Sequence, residues 1–332
     1  MPASKRCASA CKPYDHELSF ALDHPWAVTP SMRQTVANIL ARRLVGQDTD
    51  PDVAALVPRS NLPQPKRGTV AVIPIYGVIA PRMNLLSDFS GGTTFEALSA
   101  QLRAALDDDA IKTIVFDVDS PGGNAAGATE FAREVLKGRE RKPIIAQAQH
   151  LMASAAYWVM ASATEIVASP SSMVGSIGVY TIYDDISDAL GLLGVKREVI
   201  VAGKYKAEGA DGGPLTADAR DHLRALVDTA YALFVADVAK GRGVSASAVR
   251  SGYGEGRIVP ADDALALGLV DRIASLSDTL LRLTATTGAR TSLTAHAATG
   301  QEPRPVAATP QEPHALVAAS LQYRDALYQL DL

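Results

Sequence analysis

Cysteine is almost missing from this chain: 332 residues hold two, Cys7 and Cys11, both near the start. A disulfide framework is thereby excluded. Cys7, Cys11 and His16 amount to three ligands where a structural zinc wants four, so no metal and no other cofactor is expected. Long apolar runs are lacking too. No stretch approaches the roughly 18 uninterrupted apolar residues of a spanning helix. The opening M-P-A-S-K-R-C-A-S-A-C-K-P-Y-D-H has basic residues without the apolar centre of a secretory leader. A soluble cytoplasmic protein without membrane contact is expected, its thiols reduced. Neither sign of charge dominates, 32 Lys and Arg standing against 36 Asp and Glu. Nucleic acid is therefore not an expected partner. Histidine is scarce: of six, His16, His24, His296 and His314 fall in flanking segments. There is no repeat of fixed period.

What is present is a 47% apolar chain, ample for a sizeable core. Residues 1–66 read as an N-terminal arm with one helical stretch, Ser31 to Leu44, followed by a linker, P-R-S-N-L-P-Q-P-K-R-G, at 58–68. From Thr69, T-V-A-V-I-P-I-Y-G-V-I has the β-branched texture of a buried strand. Thr93-Thr94-Phe95-Glu96 has the form of a capping box opening a helix with Phe95, Leu98, Leu102 and Leu106 on one face. A strand from Thr113 to Val118 then runs into the glycine-rich turn D-S-P-G-G-N-A-A-G, a helix to about Leu136 and a third strand, Pro143 to Ala148. Strand, glycine turn and helix recur, which predicts an α/β domain with a largely parallel sheet over 67–285.

Beyond the helix at Ser154 the pattern predicts a strand from Glu165 to Ala168 and a turn at Ser169-Pro170. After Gly175-Ser176-Ile177-Gly178 it predicts a strand to about Tyr183, a short helix near Asp184 to Leu192, and a strand from Val195 to Val201. Residues 202–216 are a polar, glycine-rich loop. A long helix from Ala217 to about Lys240 is capped by Thr216 and turns Leu223, Leu226, Val227, Ala230 and Phe234 inward. G-R-I-V-P-A-D-D-A-L-A-L-G-L-V-D predicts a strand, a helix stopped by Gly268 and a last strand. Residues 286–332, with Pro303, Pro305, Pro310 and Pro313, read as a disordered linker and a short terminal helix.

The chemistry centres on H-L-M-A-S-A-A-Y, residues 150–157, where Ser154 stands among small residues at the start of an apolar helix. Small neighbours let a substrate backbone approach a serine hydroxyl, and free N–H groups at a helix start favour developing negative charge. The alternative is a buried helix whose serine bonds back to its own backbone. A nucleophilic serine needs a base. His222 sits on the long helix and suits an exposed role; His150 lies near Ser154 but has no evident carboxylate to orient it. A lysine stripped of water is the other option, and Lys204 and Lys206 lie in a loop of Gly, Ala and Tyr. Ser120-Pro121-Gly122-Gly123 can supply backbone donors for an oxyanion, or be an ordinary tight turn.

Taken together, D-S-P-G-G, S-A-A-Y, G-S-I-G-V, G-K-Y-K and A-L-A-L-G-L-V-D resemble, in order and spacing, the signal peptide peptidase A family of serine peptidases, peptidase family S49, across residues 68 to 285. The resemblance implies a ClpP/crotonase-like fold and a Ser–Lys dyad. Ser154 would be the nucleophile, Lys206 the general base, Ser176 the group that orients the amine, and the N–H groups of Gly122 and Gly123 the oxyanion hole. It also implies assembly as a homo-oligomeric ring in which a neighbour contributes the lysine. The arm segment H-P-W-A-V-T-P-S-M is similar to that of phage and prophage members, the minor capsid protein C or head maturation protease type, which implies scaffold, portal and capsid proteins as polypeptide substrates within a procapsid. The rival within the family is a bacterial cytoplasmic peptidase. Outside it stand a crotonase-type acyl-CoA enzyme, for which a catalytic carboxylate motif is missing, and an inactive structural subunit.

Overall fold

The structure, a computed structural model, describes residues 26–28, 69–82, 93–210 and 212–285, all within the unit Met1–Gly288. The expected helix at 31–44, the linker at 58–68, the segment 286–332 and the Cys7, Cys11, His16 group lie outside the described residues.

In chain order the elements begin with β1 (Trp26–Val28), β2 (Val70–Tyr76), β3 (Ile79–Ala80), β4 (Thr93–Thr94) and α1 (Phe95–Asp107). There follow β5 (Thr113–Ser120), β6 (Gly122–Asn124), α2 (Ala128–Gly138), β7 (Ile144–Ala153), α3 (Ala155–Met160), β8 (Glu165–Ala168) and β9 (Met173–Gly175). The chain continues through α4 (Ser187–Leu192), α5 (Ala217–Arg242), α6 (Ala246–Gly252), β10 (Ile258–Pro260), α7 (Ala261–Ala266) and β11 (Arg272–Ile273), with a last helix, α8, over 276–285.

The β-branched runs build a sheet in the order β10-β9-β7-β5-β2, with β8 paired to β7 and β11 to β8. The pairs β2–β5, β5–β7, β7–β8, β7–β9 and β8–β11 are parallel, and among the described residues only β9–β10 in this sheet is antiparallel. This is the α/β architecture that the alternation of motifs predicts. A smaller sheet runs β1-β6-β3-β4. β7 is the hub. Its first half, Ile145 to Ala148, pairs with β8, while Leu151 to Ala153 pair with β9. Against β5 its register slips, Val118 facing Ala148 but Ser120 facing Met152, so Gln149, His150 and Leu151 form a bulge that turns the strand end toward β9.

One sheet face packs on α1, α2, α3 and the C-terminal half of α5, where Ile73, Phe116, Phe131, Trp158 and Phe234 are buried. The other face, with Val72, Val115, Ile145 and Val167, is covered by Leu280 of α8. Behind α3 the indole of Trp158 stacks on Phe234, ring centroids 4.4 Å apart at 8°. The buried Asp237 carboxylate accepts hydrogen bonds from Trp158 Nε1 at 2.9 Å and Thr129 Oγ1 at 2.7 Å, which satisfies a charge that would otherwise be costly to bury.

Several local expectations shift. The α1 cap is Thr94, whose Oγ1 accepts from Ala97 N–H at 3.2 Å; Thr93 instead bonds the Tyr76 backbone in both directions, so the cap lies one residue later than expected and, with Ala97 in third place, no capping box is made. β7 runs five residues beyond Ala148, because the bulge lets it exchange partners. The strand expected between Gly178 and Tyr183 does not form beyond an isolated bridge at Tyr180, β9 lying ahead of that segment and ending at Gly175, and 195–201 makes no strand at all, its apolar side chains having no sheet edge to join among the described residues. Thr216 caps α5 as expected, but Phe234 alone of the five expected inward residues is buried and Leu226 is exposed, since the first half of α5 projects past the core. Phe234→Ala removes one face of the Trp158 stack and should cost about 3–5 kcal/mol of stability, measured by denaturant unfolding.

Candidate active site

Ser154 immediately follows β7, and its neighbours dictate its shape. Its N–H donates to Gly175 O at 2.8 Å and its carbonyl accepts from Trp158 N–H at 2.8 Å. Between those bonds the residue is held at φ 55°, ψ −120°, a conformation that costs a non-glycine residue free energy and persists only where surroundings enforce it. It is 1 % exposed, and among the described residues its Oγ has no hydrogen-bond partner. A serine bonding back to its own helix is thus not what is found. The hydroxyl is held free.

Gly122 packs directly against it. A Cβ at Gly122, where φ is +100°, would lie 2.8 Å from Ser154 Cβ and 2.9 Å from Ala153 O, and would overlap Ala27 O. A side chain at Gly123 would collide with the Ile79 carbonyl. Both glycines are therefore required by close approach. The Gly122 N–H donates to Ser120 Oγ at 3.2 Å, and that buried hydroxyl donates to Gly77 O at 2.6 Å. Ser120 stands inside the D-S-P-G-G motif, but residue type alone does not mark it as the partner of a glycine N–H.

Ser176 follows β9 just as Ser154 follows β7, with Ala153 opposite Gly175 in the ladder. It too has positive φ, 56°, and its N–H donates to Arg257 O at 2.8 Å. The two serines thus leave neighbouring strands at equivalent positions. Lys206 is elsewhere in chemical terms. Its N–H donates to Gly203 O at 3.0 Å in an exposed turn, and Lys204 Nζ stands 4.6 Å from the Tyr205 ring centroid. Among the described residues no hydrogen bond joins either lysine to Ser154 Oγ.

His150 does have a carboxylate, contrary to expectation: its Nδ1 lies 3.0 Å from Asp119 Oδ2, because the β7 bulge places it beside the end of β5. The pair is well exposed, and His222 is exposed as expected. Two residues before Asp119, Asp117 is buried and takes the Tyr76 hydroxyl at 2.5 Å. Burial pushes its carboxyl above the ordinary range, with the charge of Asp119 adding and the hydrogen bonds of Tyr76 and Gln149 opposing. At the opposite rim, burial acts to raise Asp271, but Arg242 and the Ile166 N–H together hold it below that range.

Residues 137–290 match the family described as peptidase family S49. The head-tail preconnector protein GP5 of Enterobacteria phage P21 is 30% identical over 239 residues, covering 70% of this chain and 47% of that protein. A putative protease of Methanocaldococcus jannaschii is 36% identical over 53% of this chain and 56% of its own length. The capsid assembly protease C of Escherichia phage lambda is 28% identical over 64% of this chain and 48% of its own. The chain spans about half the length of these relatives. With the parallel sheet and the smaller sheet in place, the matched part of the chain is similar to peptidase family S49, and the mixed α/β fold is consistent with its ClpP/crotonase-like kind. No helix among the described residues is long and apolar enough to cross a membrane.

Two outcomes follow from this geometry. Ser154→Gly should be more stable than Ser154→Ala by about 1–2 kcal/mol, because glycine adopts the enforced backbone without strain; denaturant midpoints of the two variants check it. Asp117, whose folded pKa is raised, contributes stability that is complete below its ordinary value of 3.8 and is lost as pH rises through the folded value. The stability of Asp117→Asn relative to wild type should therefore climb across that interval, as read from unfolding curves at successive pH values.

Proposed function

We propose that the protein is a serine endopeptidase with Ser154 as nucleophile and Lys206 as general base. The observation that carries this is the free Ser154 hydroxyl, buried and held in enforced backbone against Gly122. Such strain is characteristic of functional positions, and a buried hydroxyl left without a partner costs free energy that a purely structural serine would recover.

In this mechanism the Lys206 amine, oriented by Ser176, takes the Ser154 proton as Oγ attacks the scissile carbonyl. The N–H groups of Gly122 and Gly123 receive the oxyanion, that of Gly122 giving up or sharing its bond to Ser120 Oγ. Lys206 then passes the proton to the leaving amine, and water releases the acyl group by the same steps in reverse order.

The lysine comes from a neighbouring subunit in a ring. Support for this is the segment that carries it: Leu192, Leu193, Val195, Ile200 and Val201 are all exposed, Leu192 at 91 % and Ile200 at 94 %, on backbone with no sheet partner among the described residues. Apolar side chains concentrated in that way mark a protein interface. The substrates are polypeptides, and the names of the two phage relatives, a head-tail preconnector and a capsid assembly protease, favour scaffold, portal or capsid proteins in head assembly.

A mixture of Ser154→Ala and Lys206→Ala chains tests the dyad and its placement together. Each variant alone should neither hydrolyse peptides nor label with a fluorophosphonate. After subunit exchange, verified by mass, roughly one interface in four joins an intact serine to an intact lysine, so activity should return to about a quarter of wild type. A mixture as inert as its components places both residues in one chain, and activity retained by either variant alone removes the dyad.

A further inference from the structure

β6 carries both candidate oxyanion glycines, and it has two edges. β3 takes one, Ile79 lying opposite Gly123. β1 takes the other, antiparallel, with Trp26 opposite Asn124, Ala27 opposite Gly123 and Val28 opposite Gly122. The register brings the Ala27 carbonyl hard against Gly122, the residue that itself touches Ser154. An extended segment from the far N-terminal side of the chain therefore runs along the strand beside the nucleophile. Its single strand partner among the described residues is β6.

A protease holds its substrate in the same manner, as an added strand whose main chain bonds to an exposed sheet edge beside the nucleophile. Here that edge is filled from within. Ala27 and Val28 are buried, and so is Ser154. A nucleophile that has to reach the backbone of a long polypeptide is closed off, while the strand edge next to it is paired with the chain's own alanine. Gly122 fits this arrangement for a second reason: only a residue without Cβ lets the Ala27 carbonyl pass on one side and Ser154 on the other.

We infer that β1 is an internal occupant of the substrate groove, which a polypeptide substrate must displace to pair with Gly122–Asn124. The inference rests on the peptidase reading above. A tethered occupant competes at the effective concentration set by its linkage, so it raises the apparent KM and leaves kcat unchanged once it is displaced.

Hydrogen exchange on the full wild-type chain tests it, with and without a peptide aldehyde ending in alanine. The aldehyde bonds to Ser154 Oγ, and its peptide takes the edge of β6. Amides of residues 26–28 should then exchange about tenfold faster or more, while those of Gly123 and Asn124 stay protected. Unchanged or slower exchange at 26–28 in the aldehyde-bound protein makes β1 a structural strand outside the groove and overturns the inference. An aldehyde that leaves Ser154 unmodified by mass counts against the peptidase reading instead. In the full chain Ala27→Asp, which weakens the hold of β1 and alters no residue of β6 or Ser154, should lower KM for peptides about tenfold at unchanged kcat. An equal or higher KM in a variant whose kcat is preserved overturns it as well.

Discussion

One hydrogen bond sets the geometry on which the site depends: the Ser154 N–H donates to the carbonyl of Gly175. It joins the ends of two parallel strands, and it forms only because β7 leaves β8 after Ala148 and takes up β9 from Leu151. The bulge at Gln149 to Leu151 makes that exchange possible. A parallel ladder continued without it would carry β7 straight on beside β8 and leave Ser154 without the carbonyl that fixes its backbone. The strained φ of 55° is the local cost, and the surroundings are arranged to bear it.

Those surroundings are unusually well tied for a helix of six residues. α3 is buried along its length, and each of its polar groups has a fixed acceptor: Trp158 Nε1 on Asp237, Tyr157 OH on Leu269 O at 2.8 Å. Arg139 closes the turn after α3, donating to the carbonyls of Ser162, Ala163 and Gly241. Arg242, at the end of α5, bonds Asp271 and Gly268 O and so couples the long helix to the last motif of the sequence. Buried polar groups satisfied in this way define one arrangement and penalise others, since any displacement orphans several donors at once. Among the described residues, the first half of α5 and the segment from α4 to Lys206 are largely exposed by contrast.

That contrast accounts for what the sequence made legible. The parallel sheet followed from β-branched runs broken by glycine turns, because a strand buried on both faces has to be apolar throughout, as Val70 to Ile75 are. Ser154, Gly122 and Gly123 could be read because small residues gathered around a hydroxyl mark a place where backbones must come close. Asp119 as partner to His150 could not, since a bulge leaves no mark in residue type and moves side chains between faces. The inward face assigned to the start of α5, and the strand at Val195 to Val201, failed for a common reason. Apolar periodicity records that a surface is to be covered, but not whether the cover comes from the same chain.

The same distinction orders the parts of the site. Ser154, which we assign as nucleophile, and the two glycines sit on the most closely hydrogen-bonded of the described parts of the fold, where sub-ångström placement matters to chemistry. The lysine we assign as base sits on the least anchored part, and β1, the occupant we infer for the groove, holds on by a single short ladder. An enzyme built so keeps its hydroxyl preorganised at all times while making base and access conditional on events outside the core: a neighbour docking, a strand leaving. If, as we propose, the protein is a peptidase acting among the proteins with which it assembles, conditional completion has a physical advantage over a permanently open site. Strain at Ser154 is borne by the fold whether or not substrate is present, so no binding free energy need be diverted to create it. The binding energy of the substrate strand is then free to displace β1, and a partner offering only a few main-chain hydrogen bonds cannot do so. Selectivity in that case resides less in the pocket for one side chain than in the length of extended chain a substrate can lay along β6.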